Sequence, residues 1–214
     1  MSVNHPLQGV LDGMRVLDLT QVLAGPYCTM LLADHGADVI KIEPPGGDVA
    51  RGMGLFHASD TEKRHAGYFH SVNRNKRSIV LDLKNADDAA TFRAMARQAD
   101  VVVENYRVGV MERLGLSYES LREENPRLVY AAVRGFGDPR TGRSPYADWP
   151  AFDIVAQAMG GFMSITGPGP DMPLKSGPGI GDIVPGIMCA FGIVAAVRLA
   201  ERRGQGQFLD VAMY

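Results

Sequence analysis

Asp182 is the residue of this 214-residue sequence best placed to do chemistry. It stands in Gly177-Pro178-Gly179-Ile180-Gly181-Asp182-Ile183-Val184-Pro185-Gly186, a single carboxylate among small and apolar residues. Glycines let a bulky ligand approach the backbone and leave amide N–H groups open to hold developing negative charge. Two readings compete. Asp is a favoured helix N-cap, and residues 183–203 form a long apolar run of helical character. The same carboxylate could instead be a nucleophile or general base that the helix dipole keeps ionised. The stretch by itself favours the cap. Other candidates are cationic. Arg51 follows Gly-Gly-Asp-Val-Ala and suits a phosphate. Arg74, Lys76 and Arg77 cluster just ahead of an apolar run, where an anion would offset their repulsion, although a solvated turn is the plainer reading. Asn105-Tyr106-Arg107 and Arg134 each follow a β-branched run. His57, His65 and His70 match no metal-ligand spacing, so no metal site is expected.

The elements that would position these groups alternate. Residues 15–19 read as a buried strand, 27–35 as a helix ending at Gly36, and 38–43 as a second strand. Such a β-α-β unit packs its strands in parallel. The turn after the first strand is Leu23-Ala24-Gly25-Pro26, which lacks the G-x-G-x-x-G fingerprint and argues against a dinucleotide site. Residues 44–71 read as a long irregular loop, functional or poorly ordered. Further strands fall at 79–83, 100–104, 128–133 and 208–212, with helices at 87–98, 118–124 (capped by Ser117), 153–162 and 183–203. This is an α/β pattern with a parallel sheet, whose ligands bind beyond the carboxyl ends of the strands. Asn105, Tyr106, Arg107 and Arg134 would all lie there. The sequence ends on a fresh strand, as a portion of something longer would.

Composition narrows the class. Apolar residues make up 46% and charged residues 21%, enough to bury a core. A net charge of −2 argues against a nucleic-acid or basic membrane-surface partner. The N-terminus is polar without a signal pattern, and no uninterrupted apolar run is read as long enough to span a bilayer. Cys28 and Cys189 read as buried thiols of a reducing compartment, so a cytoplasmic location is expected.

Several segments, taken together and in order, resemble one family. They are Leu11-Asp12-Gly13-Met14-Arg15-Val16-Leu17-Asp18, Ala24-Gly25-Pro26, and Gly36-Ala37-Asp38-Val39-Ile40-Lys41-Ile42-Glu43. Asn73-Arg74-Asn75-Lys76-Arg77-Ser78, Asp100-Val101-Val102-Val103-Glu104-Asn105-Tyr106-Arg107, Gly181-Asp182 and Gly204-Gln205-Gly206-Gln207 follow. The chain is similar in these to the class III CoA-transferases, which include formyl-CoA, carnitine and succinyl-CoA-dependent transferases and the 2-methylacyl-CoA racemases. The resemblance implies a Rossmann-like, CoA-binding large domain over residues 1–214, an open parallel sheet flanked by helices. It also implies a tightly interlocked homodimer, and a small domain and C-terminal return segment beyond residue 214. On this likeness Asp182 becomes the catalytic residue. Coenzyme A enters as the thioester of a substrate and no separate cofactor is needed.

The resemblance places Val22, Leu23 and Ala24 beside CoA, with Leu81, Lys84, Asn105, Tyr106, Arg113 and Arg134, and with Arg51 and Arg77 as phosphate ligands. It implies that Asp182 exchanges CoA between an acyl-CoA and a small carboxylic acid through an aspartyl anhydride and an aspartyl-CoA thioester. Two other outcomes stay open: a racemase-like acid–base enzyme, and a CoA-binding fragment without turnover. The racemase branch carries a histidine where this chain has Phe152, and phenylalanine cannot carry a proton. The formyl-CoA/oxalate branch has glutamine and tyrosine where this chain has Leu23 and Phe152, which disfavours oxalate and suits a larger or less polar acid. Succinyl-CoA is a donor that the family resemblance suggests and the residues do not show.

Overall fold

In the computed structural model, which describes residues 9–63 and 65–214, strand and helix alternate along the chain. The polar N-terminal residues 1–8 lie outside that range. In order come β1 (Arg15–Asp18), α1 (Ala24–Asp34), β2 (Asp38–Glu43), α2 (Gly67–Asn73), β3 (Arg77–Val80), α3 (Ala86–Ala96) and β4 (Val101–Glu104). Then follow α4 (Val110–Arg113), α5 (Tyr118–Glu124), β5 (Val129–Arg134), α6 (Asp153–Met159), α7 (Ile180–Arg203) and β6 (Phe208–Ala212). The strands form one sheet in the order β3-β2-β1-β4-β5-β6, every neighbouring pair parallel. The winding reverses between β1 and β4, which opens a crevice at their carboxyl ends.

The strand sequences explain the layering. β4 and β5 are buried at every position, as a sheet covered on both faces requires. Val16, Val101, Val103, Val129 and Ala131 face one core with Cys28 and Leu32 of α1 and Cys189 and Ile193 of α7. The alternate residues Leu17, Val102 and Tyr130 face a second core with Phe92 of α3 and Leu121 of α5. Helix starts follow the side chains available. Asn85 accepts the amides of Asp87 and Asp88 at the head of α3, and Ser117 caps α5 as expected by accepting the amide of Ser120.

Some expectations need correction. Residues 44–71 are not wholly irregular: a 3-10 turn runs over Val49–Gly52 and α2 begins at Gly67, packed on Ala50 through Phe69. The helix expected over 153–162 stops at Met159, and Gly161 at φ +78 turns the chain into a 3-10 segment, Phe162–Ile165. One helix, α7, is long and apolar enough to cross a membrane by length and composition, although Asp182 and Arg198 bound its uninterrupted apolar run. Here it packs as a core helix. Its Gly186 lies so close to α1 that a Cβ would stand 2.7 Å from the carbonyl oxygen of Ala24.

Candidate active site

A cleft of about 640 Å³ opens at the carboxyl ends of β1, β4 and β5. The chain leaving β1 supplies Gln21, Val22, Leu23 and Ala24; the chain leaving β4 supplies Asn105, Tyr106 and Arg107; Arg113 reaches in from α4. Residues 147–152, including Trp149 and Phe152, form another wall, and Asp182 lies on the same surface.

The turn after β1 is built on buried charge. Asp18 accepts the amide of Thr20 at 2.9 Å, its hydroxyl at 2.5 Å, the Thr29 hydroxyl at 2.7 Å and the Lys76 ammonium at 3.0 Å. Burial alone would raise the Asp18 carboxyl, but Lys76, Lys41 and the two hydroxyls hold it at about 2. Asn105 then grips Gln21 from both sides, accepting its amide at 2.9 Å and donating to its carbonyl at 2.8 Å. Val22, next in line, sits at φ +69, and its amide donates to Asp48 at 3.2 Å.

Asp182 is not the helix cap. Gly179 occupies that position without any side-chain bond, and Asp182 is the third residue of α7, its amide donating to the Gly179 carbonyl at 3.1 Å. Among the described residues no hydrogen bond to its carboxylate is found. Burial first, and then the charge of Asp153, raise its carboxyl to about 6, with Lys175 pulling in the opposite sense. Desolvation and the like charge of Asp153 make Asp182 more basic than an exposed aspartate. Asp153 itself is fully engaged. It accepts the Gly181 amide at 2.8 Å, the Gln157 amide nitrogen at 2.8 and 2.9 Å, and the Lys175 ammonium at 2.9 Å. Burial opposes its ionisation, yet these donors hold its carboxyl below the usual range. The head of α6 is thus bolted to the head of α7, which fixes where Asp182 points.

The remaining sequence candidates divide. Arg134 lines the cleft, but its guanidinium is committed to Glu104, Asp138 and, at 3.3 Å, the Tyr106 carbonyl. It holds the wall together more than it offers itself to a ligand. Arg51 is spent on Glu43 at 2.6 and 2.7 Å and lies 3.8 Å above the Phe69 ring. Arg77 opens β3, at the amino end of a parallel sheet whose cleft is at the carboxyl end, and it pairs with Asp38 at 2.7 Å; the structure does not bring it to the site. Leu81 is buried in the second core and Lys84 is exposed on the β3–α3 turn, neither lining the cleft. The cluster of Arg74, Lys76 and Arg77 is neutralised internally by Asp34, Asp18 and Asp38.

Sequence reading missed Tyr68, whose phenol is raised by burial and then by the charges of Asp182 and Asp48. It also missed Asp153, Lys175 and Trp149. No local motif marks Tyr68, but Asp153 opens an apolar run and could have been noticed as a second acid. A half-buried carboxylate without donors, beside glycine amides and a partly apolar cleft, can act as a nucleophile or as a base. Among the described residues no group of acids, cysteines and histidines is arranged to hold a metal.

Comparison with known proteins gives concordant results. A family model described as CoA-transferase family III matches residues 11–214. The chain is 55% identical over 206 residues to a succinyl-CoA:mesaconate CoA-transferase of Haloarcula hispanica, covering 96% of this chain and 52% of that protein. It is 47% identical to a succinate–glutarate CoA-transferase of Agrobacterium fabrum, over 95% of this chain and 50% of that one. A crystal structure of a CAIB/BAIF family protein from Brucella suis superposes with a TM-score of 0.88 at 39% identity, over 96% of this chain and 53% of that one. The chain spans about half the length of the curated relatives it matches.

Proposed function

Because this chain belongs to CoA-transferase family III, we propose that it is the acyl-CoA-binding, nucleophile-bearing part of an enzyme that moves coenzyme A from succinyl-CoA to a second carboxylic acid. The observation that carries the reading is Asp182, a carboxylate raised to about 6 that accepts no hydrogen bond from the described residues, on a cleft at the sheet's switch point. A carboxyl of that pKa is roughly nine-tenths ionised at pH 7 while more basic than an exposed aspartate.

The chemistry runs in four balanced steps. The Asp182 carboxylate attacks the donor thioester carbonyl, the C–S bond breaks, and a mixed anhydride and CoA thiolate result. The thiolate attacks the aspartyl carbonyl and releases the donor acid, leaving an aspartyl-CoA thioester. The acceptor carboxylate displaces CoA thiolate from that thioester to form a second anhydride. The thiolate finally attacks the acceptor's acyl carbon, and Asp182 leaves as the carboxylate it began as. Splitting the exchange this way replaces one hard displacement with easier ones. Each tetrahedral intermediate calls for N–H donors, each worth about 3 kcal/mol. In this reading the glycine-rich backbone beside Asp182 supplies some of them.

The donor is inferred from two relatives named for succinyl-CoA and succinate, and from the apolar Leu23 and Phe152 on the cleft wall. Phe152 also argues against proton shuttling at an α-carbon. The functional unit is proposed to be a homodimer of full-length chains, with the apolar face of α7 around Val184, Ile187 and Phe191, exposed in this structure, covered by the second copy. The test is to incubate the full-length protein with a panel of acyl-CoAs, trap with hydroxylamine or borohydride, and map adducts by peptide mass. Modification confined to Asp182, fastest with succinyl-CoA, is expected. Acyl-CoA that binds without ever modifying Asp182 would overturn the mechanism.

A further inference from the structure

Val22 is a β-branched residue in the left-handed region, at φ +69, on the wall of the cleft. Valine rarely adopts that conformation, whereas glycine enters it freely. Such an outlier persists only where its surroundings over-determine it. The surroundings here are specific. The Val22 amide donates to Oδ1 of Asp48 at 3.2 Å, and the same oxygen accepts the Ala50 amide at 2.9 Å. Oδ2 of Asp48 lies 2.9 Å from the Lys41 ammonium, and both side chains are buried. Lys41 in turn donates to the Thr20 carbonyl at 2.6 Å, two residues before Val22. Asn105 holds Gln21 between them. Three successive residues of one turn are thus each tied to a different part of the fold. A buried ion pair adds little net stability over an apolar pair of the same size, so a geometric use is the better account of it.

We propose that Asp48, anchored by Lys41, is a positioning residue that holds the Val22 turn in its left-handed form and so sets the Leu23–Ala24 edge of the cleft for acyl-CoA. The inference rests on the reading of that cleft as the acyl-CoA site. Asp48 acts through Val22 and does not itself line the cleft. Without Asp48 the turn relaxes toward negative φ, and apparent affinity falls by the fraction that remains competent. For valine that fraction is on the order of a tenth or less; for glycine it is about a half.

The experiment is a double-mutant cycle in the full-length protein, reading the Kd for CoA by calorimetry and the KM and kcat for acyl-CoA. Asp48→Ala is expected to weaken CoA binding about tenfold or more, with KM rising in step, but only about twofold in the Val22→Gly background. Equal losses in both backgrounds would overturn the proposal, since Asp48 would then act only through general stability. Should the unpartnered Lys41 unfold Asp48→Ala, the pair Lys41→Met with Asp48→Ala removes the buried charge together with its partner, and the same comparison applies. A crystal structure of the Asp48-substituted protein decides the clamp without any ligand: Val22 at negative φ supports it, and Val22 still near +69 refutes it. Wild-type protein that binds no CoA in the same titration would instead refute the acyl-CoA reading of the cleft.

Discussion

Replacing Asp182 by asparagine should abolish transfer and, at the same time, stabilise the protein. The carboxyl rises from an ordinary 3.8 to about 6 in the folded chain. A rise of about two pH units corresponds to about 3 kcal/mol. Asp182 is only partly buried, so screening by water reduces the expected gain to about 1–2 kcal/mol. The sign follows from proton binding. Between pH 3.8 and about 6 the folded state binds more protons than the unfolded chain, so stability falls as pH rises through that window. Above it the full penalty is present. Urea unfolding of the full-length wild type and Asp182→Asn at pH 7 should therefore show the variant more stable, with the gap falling to about half by pH 5. Equal stability at pH 7, or a gap indifferent to pH, would refute the claim that burial and Asp153 hold this carboxylate in an unfavourable charged state.

The same carboxyl should set the acid limb of the pH–rate profile, with kcat falling as pH drops through about 6 and the midpoint moving upward in Lys175→Met, which removes a nearby cation. Arg134→Met leaves buried Glu104 without its cation, while Asp138 keeps Arg140 at 3.0 Å, at an expected cost of about 3 kcal/mol in unfolding free energy. A loss below about 1 kcal/mol would mean that Glu104, raised by burial to about 7, already carries a proton. Gly206→Ala would place a Cβ 1.9 Å from the Leu128 carbonyl oxygen, so it should cost more than about 4 kcal/mol and fail to accumulate as folded protein. Phe191→Asp, at a position 72% exposed on α7, should change subunit stability by less than about 0.5 kcal/mol yet shift the full-length protein toward monomer in sedimentation.

Runs such as Val101-Val102-Val103 announce a strand because a sheet covered on both faces must be apolar throughout, and the order of elements could be read from them. The cleft was readable from the strand pattern at Asn105 to Arg107, which follow β4, whereas Val22, Leu23 and Ala24 came only with the family resemblance and Gln21 was not singled out. The start of α7 was not readable, because glycine and proline allow several beginnings and the amides of Asp182 and Ile183, both donating to the Gly179 carbonyl, select one. The burial of Lys41, Lys76 and Arg134 escaped for a different reason. Charged residues are expected at the surface, and their burial depends on acids distant in sequence. The left-handed Val22 was beyond reach altogether, since its residue type argues for the opposite conformation.

The parallel docking of β6 on β5 carries a consequence for the order of assembly. The Asp138 amide bonds to Asp210, 72 residues further on, and the intervening chain holds α6, the glycine-rich stretch and α7. Closing a loop of that span costs entropy before the strand contacts offset it. The turns after β1 and β4 close on one another across 84 residues, but both lie before residue 108, so a chain made from its N-terminus can form them sooner. Asp182 lies inside the late-closing span, so a growing chain displays the wall of its cleft before it can present its reactive carboxylate. Substitutions in β6 should accordingly delay the onset of reactivity in refolding more than they delay the recovery of secondary structure.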